Sequence, residues 1–145
     1  MNKTVYGFND RFHTARQRLL SYLLKLGHAI DADTPDLASA LTVRFCDTLV
    51  DYLATGHFQI LDKHRPTADE LAACEATTRK ALAFSDRFGN GETPDLAELR
   101  VSLERLALLL DSRMDIEDEV LQRSDRVAQP LRASTARNRP ATAVA

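Results

Sequence analysis

The chain has 145 residues, of which 44% are hydrophobic and 28% are charged, and its formal net charge is −2. A chain of this size and composition forms one globular domain around a single core. The charge argues against a protein that binds nucleic acid directly, and the absence of an apolar run of about 18 residues argues against a membrane span. We expect a cytoplasmic protein whose partners are basic or neutral.

Apolar residues recur at spacings of three and four in four segments, which predicts four helices and no strand. The first helix is expected from about Phe8 to Leu26, with Gly27 as its stop. Its inward stripe comprises Phe8, Phe12, Ala15, Leu19, Tyr22 and Leu26. The same helix carries Arg11, Arg16, Arg18 and Lys25, either as a local nucleic-acid patch or as a solvated face, and the acids that follow favour the solvated face.

The second helix is predicted to begin at Thr34, with the hydroxyl as N-cap and Pro35 at the first helical position. Its inward residues are Leu37, Leu41, Phe45, Leu49 and Tyr52. Gly56 costs about 1 kcal/mol relative to alanine in a helix interior. The helix is therefore expected to loosen near Gly56, for a reason other than packing, and to end before Pro66.

The third helix opens with the capping box Thr67 to Glu70 and continues to the turn that begins at Gly89. Its inward stripe is Leu71, Cys74, Thr78, Ala81 and Ser85. The fourth and longest helix is expected to open at Thr93-Pro94. Cys46 and Cys74 lie within helical patterns and are interpreted as small buried hydrophobes, not as a disulfide.

Four amphipathic helices joined by short turns pack most simply as an antiparallel up-down-up-down bundle. The fold class is therefore all-α, with a four-helix bundle over residues 1–129. Residues 130–145 have no periodic apolar pattern, so we expect a disordered C-terminal tail. The tail contains three arginines, and without them the formal charge becomes −5.

The fourth helix places two charges where a core is expected. One heptad seam comprises Leu96, Leu103, Leu110 and Glu117, and the other comprises Leu99, Leu106, Arg113 and Val120. Arg113 and Glu117 are four residues apart and can face each other along the helix. Two interpretations stand: a polar interior at one end of the bundle, or a frayed end where both groups reach water.

No pattern in the chain supports catalysis. The Glu-x-x-His pairs of di-iron bundles, zinc-ligand clusters, glycine-rich phosphate loops and nucleophile–base pairs are all missing, so we expect no enzyme activity and no cofactor or metal. Asp51 lies off the apolar seam with Phe58 after the glycine, as in a partner-binding surface. The alternative is a solvated acid with a core-facing Phe58. His57 is a weak candidate for a ligand or base.

Three blocks in the same order resemble the Rsd/AlgQ family, the bacterial regulators of sigma D. The first is Asp10-Arg11-Phe12 with Arg16 further on, similar to the family's Asp-Arg-Trp start. The second runs from Phe45-Cys46 through Leu49-Val50-Asp51-Tyr52 to Gly56-His57-Phe58 and is the most specific. The third is Arg113-Met114-Asp115-Ile116-Glu117-Asp118. The segment from Ala83-Phe84-Ser85-Asp86-Arg87 to Asn90-Gly91 is also similar to the AlgQ branch.

This resemblance implies a non-catalytic anti-sigma factor. It would bind the C-terminal, DNA-reading region of the primary sigma factor and keep it from core RNA polymerase and promoter DNA. Matching position by position implies a contact surface at Asp51, Ala54, Thr55 and Phe58. Arg16, His57, Arg113 and Glu117 remain candidates for a polar core or for the interface. The connection from Phe58 to Ala68 is shorter than in the family.

Two other hypotheses for the function remain open. One is a signalling adaptor that docks on other regulatory proteins, such as a phosphocarrier or an alarmone enzyme, through the same bundle. The other, less favoured, is a cofactor-binding bundle that uses the polar seam of the fourth helix. A pulldown from bacterial lysate separates the adaptor from the anti-sigma factor, and elemental analysis with an absorbance scan tests the cofactor-binding bundle.

Overall fold

The computed structural model describes residues 3–128, with side chains from Asp10 to Ser124. It contains α1 (Lys3–Asp31), α2 (Pro35–Gly56), a π-helical turn (His57–Leu61), α3 (Ala68–Phe88) and α4 (Leu96–Ala128). No strand occurs within this range, so the all-α prediction is confirmed. The side chain of Phe8 and the predicted tail at 130–145 lie outside the described residues.

The helices form the expected antiparallel bundle. Arg100 Nη1, near the start of α4, lies 2.6 Å from Asp31 Oδ1 at the end of α1. Arg16 Nη1, in the first half of α1, lies 2.9 Å from Asp118 Oδ1 in the last third of α4. Helices α1 and α4 therefore run in opposite directions, and short turns connect each helix to the next.

The prediction that Gly27 stops the first helix is wrong. Helix α1 continues to Asp31 because Ala29 and Ile30 are buried in the core, and this packing outweighs the helix cost of one glycine, about 1 kcal/mol. Beyond the last helical residue, Asp33 adopts a left-handed conformation with φ of 54°. The N–H groups of Asp33 and Thr34 bond to the carbonyls of Ile30 (3.0 Å) and Ala29 (3.1 Å), the Schellman arrangement.

The starts of α2 and α4 differ in detail from the predictions. Pro35 does occupy the first turn of α2, but the Thr34 hydroxyl donates to the carbonyl of Ala29 (2.9 Å) and makes no cap bond to α2. Helix α4 begins at Leu96, because Asp95 Oδ1 accepts from the N–H of Ala97 at 2.9 Å. The N-cap of α4 is therefore Asp95, two residues after the predicted Thr93.

The core follows the predicted stripes with two corrections. Leu37 is 52% exposed, since the seam of Phe45 and Leu49 continues through Ala38 and Thr42 at spacings of three and four. In α3, the buried seam includes three residues that were not predicted, Thr77, Phe84 and Phe88, whereas the predicted Thr78 and Ser85 are only half-buried. The rings of Phe45 and Phe84 meet edge-on with centroids 5.7 Å apart, which joins α2 to α3.

The two cysteines are free and buried, as predicted. None of the helices within residues 3–128 is long and apolar enough to cross a membrane. In the same residues, His, Cys, Asp and Glu side chains do not form any group of three that could hold a metal ion.

The capping box of α3 yields a pH prediction. Glu70 accepts from the N–H of Thr67 and from Arg123, and these bonds, the Arg123 bond first, lower the pKa of Glu70 from 4.5 to about 2. Glu70→Gln keeps the capping acceptor but loses the ion pair, which should cost about 1 kcal/mol or less at neutral pH. Because the pKa of Glu70 is lower in the folded state than in the unfolded state, the ionised carboxylate stabilises the fold. This stabilisation is fully present above about pH 4.5 and is lost as the pH falls toward about 2.

The stability difference between wild type and Glu70→Gln should therefore narrow over that range of pH. Urea unfolding followed by circular dichroism measures it. Glu75→Gln, an exposed acid of the same helix, is the matched control. A difference that stays constant down to the acid end of the range would contradict the assignment of the lowered pKa to Glu70.

Candidate functional site

One exposed row runs along the C-terminal half of α2. Asp47, Val50, Asp51 and Ala54 recur at spacings of three and four and are all solvent-exposed. Phe58 lies four residues after Ala54, and its side chain is 60% exposed. An exposed aromatic ring beside two carboxylates is a surface with both apolar area and negative charge. We call these five residues the α2 face.

The π-helical turn sets the position of Phe58. Gln59, Ile60 and Leu61 are three consecutive buried residues, and they fix the turn to the bundle while His57 and Phe58 remain outside. The rings of His57 and Phe58 meet edge-on at 5.1 Å. Single π-helical turns of this kind are frequent at functional sites. The helix does loosen after Gly56, as predicted.

The structure therefore places most of the predicted contact residues together. Asp51, Ala54 and Phe58 lie on the α2 face, and Thr55 is half-buried at its edge. The alternative of a core-facing Phe58 is wrong, because the buried positions of the turn are taken by the three residues that follow it.

Behind this end of α2 lies a buried polar cluster centred on Glu117, whose side chain is fully buried. Its Oε1 accepts from the Tyr52 hydroxyl at 2.5 Å and from Arg16 Nη2 at 3.1 Å. Its Oε2 accepts from Arg113 Nε at 3.1 Å. We call Tyr52, Arg16, Arg113 and Glu117 the Glu117 cluster.

Arg113 is 1% exposed and is held by more than its carboxylate. Its Nη1 donates to the carbonyl of Cys74 (3.0 Å) and to the hydroxyl of Thr78 (2.7 Å), both on α3. A charge this deep persists only when it is paired and hydrogen-bonded. The frayed-end interpretation of Arg113 and Glu117 is therefore wrong, and this end of the bundle has a polar interior.

Arg16 joins the same cluster, so its assignment to a solvated face is wrong. Its guanidinium bonds Glu117 and Asp118, and it lies 4.8 Å from the centroid of the Phe12 ring. Burial acts to lower the pKa of Arg16, but the bond to Asp118 and the two carboxylates outweigh it and raise the pKa. Arg16 thus remains cationic at any physiological pH.

His57 does not belong to the cluster. Its imidazole is exposed, with Nε2 4.0 Å from Asp62 Oδ1, so it lies beside the α2 face and not in the core. Tyr52 was predicted only as an apolar core residue. Burial first, then the neighbouring Glu117, raises the pKa of its phenol, which therefore stays protonated as a donor.

The cluster also explains Gly56, and the expectation of a reason other than packing is wrong, because the residue is buried against Glu117 and Phe12. A Cβ atom at this position would lie 2.9 Å from Glu117 Oε2 and 3.5 Å from Phe12 Cε1. The backbone of α2 therefore approaches the buried carboxylate closely, which only glycine permits. Since Gly56 precedes the π-helical turn, the cluster fixes the part of the chain that presents Phe58.

The chain is similar to proteins of a known family. The model of the Rsd/AlgQ family, described as regulator of RNA polymerase sigma(70) subunit, matches residues 3–124. The chain is 31% identical over 125 residues to the regulator of sigma D of Yersinia pseudotuberculosis serotype O:1b, covering 76% of this chain and 74% of the relative. It is 32% identical over 126 residues to the regulator of sigma D of Yersinia enterocolitica, covering 76% and 75%. No solved structure matches the chain.

Proposed function

Since the chain belongs to the Rsd/AlgQ family of regulators of the RNA polymerase sigma(70) subunit, we propose that it binds the C-terminal, DNA-reading region of the primary sigma factor through the α2 face. Binding withholds this region from core polymerase and promoter DNA. The protein then acts in the cytoplasm, by sequestration and without catalysis.

The observation that carries the proposal is the exposure of Phe58 in the turn that directly follows α2, the helix on which Asp47 and Asp51 are exposed. A region that reads promoter DNA is basic, because it must neutralise phosphates. Carboxylates opposite it supply charge complementarity, and an exposed aromatic ring supplies the buried apolar contact typical of binding hot spots. The buried residues of the π-helical turn anchor it to the bundle, so the ring of Phe58 is not needed for core packing and is available to a partner.

The test is a titration of the sigma C-terminal region with wild type, Asp51→Ala and Phe58→Ala. Each substitution should weaken binding about tenfold or more, since anchors of this kind contribute about 2 kcal/mol or more. Asp51→Lys should be worse than Asp51→Ala, because it opposes a basic partner with like charge. Added salt should weaken the wild-type complex more than the Asp51→Ala complex.

Arg18→Ala is the control, since Arg18 is an exposed charge on α1 and is not one of the five residues of the α2 face. Helical content and melting temperature should stay near wild type in all variants, because the substituted side chains are exposed. Equal affinity of wild type, Asp51→Ala and Phe58→Ala for the sigma region would rule the α2 face out as the contact surface.

A further inference from the structure

A second surface lies between α3 and α4, where a groove of about 260 Å³ opens to solvent. Its floor is apolar and is formed by Phe84, Phe88 and Leu106, which are buried, and by Leu109, which is half-buried. No residue of α2 lines this groove. It therefore differs from the α2 face in position as well as in composition.

The rim of the groove is basic. Lys80 and Arg87 lie on the α3 side, and Arg105 lies on the α4 side. Arg87 is paired with Glu98, but Lys80 and Arg105 make no ion pair with any carboxylate in the described part of the chain. Two unpaired cations over an apolar floor form a site for a partner that is both apolar and acidic.

The apolar surface continues beyond the groove along α4. Leu108 is 71% exposed and lies three residues after Arg105. Val101 is also exposed and lies four residues before Arg105. This strip runs parallel to the groove, along the helix axis. A partner that covers both must be elongated, as a helix laid between two helices is.

We propose that the α3–α4 groove binds an acidic amphipathic helix of a partner protein. Its apolar face would cover Leu109 and Leu108, and its carboxylates would pair with Lys80 and Arg105. The chain's own residues 129–145 do not fit this site by charge, since they contain three arginines and no acid. The partner is opposite in charge to the one that the α2 face selects, so the two surfaces serve different partners.

The probe is a labelled synthetic peptide of about 15 residues, rich in alanine and glutamate, with leucines at helical spacing on one face. We expect saturable binding by fluorescence anisotropy, with loss of affinity when its glutamates are replaced by glutamine. Lys80→Glu/Arg105→Glu should weaken binding about tenfold or more by placing like charge against the peptide. Arg79→Glu, an exposed change on α3 outside the groove, should have an effect below twofold.

A competition experiment tests whether the α3–α4 groove and the α2 face bind their partners independently. An excess of the sigma C-terminal region should leave the affinity for the peptide unchanged, and Asp51→Ala should not affect it. Displacement of the peptide by the sigma region, or equal binding to Lys80→Glu/Arg105→Glu and wild type, would overturn the proposal. Binding of decanoate that depends on Lys80 and Arg105, without binding of the peptide, would also overturn it and assign the groove to a small anion. The direct titration of the peptide with wild type and Lys80→Glu/Arg105→Glu uses no sigma factor, so its result does not depend on the proposed function.

Discussion

Replacing Glu117 with alanine should destabilise the bundle by about 3–5 kcal/mol, because it leaves Arg113 as a buried charge without its carboxylate. Arg113 is 1% exposed, and its bonds to Cys74 and Thr78 do not neutralise its charge. The same substitution removes the acceptor of the Tyr52 hydroxyl. Urea unfolding at neutral pH, followed by circular dichroism, measures the loss.

Two further variants separate the lost charge from the lost volume. Glu117→Gln keeps a hydrogen-bond acceptor of the same shape, so it should be destabilised less than Glu117→Ala. Arg113→Leu/Glu117→Leu removes both buried charges of α4 together and leaves Arg16 with Asp118, so the only buried group that loses its partner is the Tyr52 hydroxyl. This double variant should therefore be more stable than Glu117→Ala alone.

Asp115→Ala is the matched control, since Asp115 is an exposed acid on the same helix. Its effect should stay within about 0.5 kcal/mol, as for most surface substitutions. If Glu117→Ala were as stable as Asp115→Ala, the cluster would contribute nothing to folding.

Gly56→Ala should destabilise the protein by about 2–3 kcal/mol, although alanine is the better helix former. The added Cβ would lie 2.9 Å from Glu117 Oε2, so the carboxylate or the α2 backbone has to move. Glu117 is not free to give way, because Tyr52, Arg16 and Arg113 hold it from three sides. The substitution should also displace the turn that carries Phe58, so it should weaken sigma binding if the proposed contact through the α2 face holds.

Gly27→Ala is the matched control, and its expected effect on stability is opposite to that of Gly56→Ala. Gly27 lies inside α1, and a Cβ there would meet no atom within 4 Å. The change should stabilise the protein by about 0.5–1 kcal/mol through helix propensity and the reduced entropy of the unfolded chain. Thermal unfolding of both variants gives the comparison, and a stabilised Gly56→Ala would refute the close approach to Glu117.

The four helices and the capping box could be predicted from the sequence alone, because both depend on spacings of three and four residues within one segment. The sequence likewise placed Asp51 off the apolar seam and identified Gly56 as costly in its helix. The family resemblance rests on the same local blocks and was confirmed by the comparisons.

Other features depended on contacts between helices. Gly27 does not stop α1, because Ala29 and Ile30 are buried against the rest of the bundle. Periodicity could mark Arg113 and Glu117 as core positions, but it could not decide between burial and fraying. That choice depends on Tyr52 from α2 and on Arg16 from α1.

The exposure of Phe58 was also open in the sequence, since an aromatic residue after a helix fits a core equally well. The three buried residues that follow it decided the question by filling the positions next to the bundle. The groove between α3 and α4 had no signal at all, because its two unpaired cations lie on different helices. A sequence determines helices and their faces locally, whereas the pairing and burial of charge depend on which helices meet, and only the tertiary structure decides that.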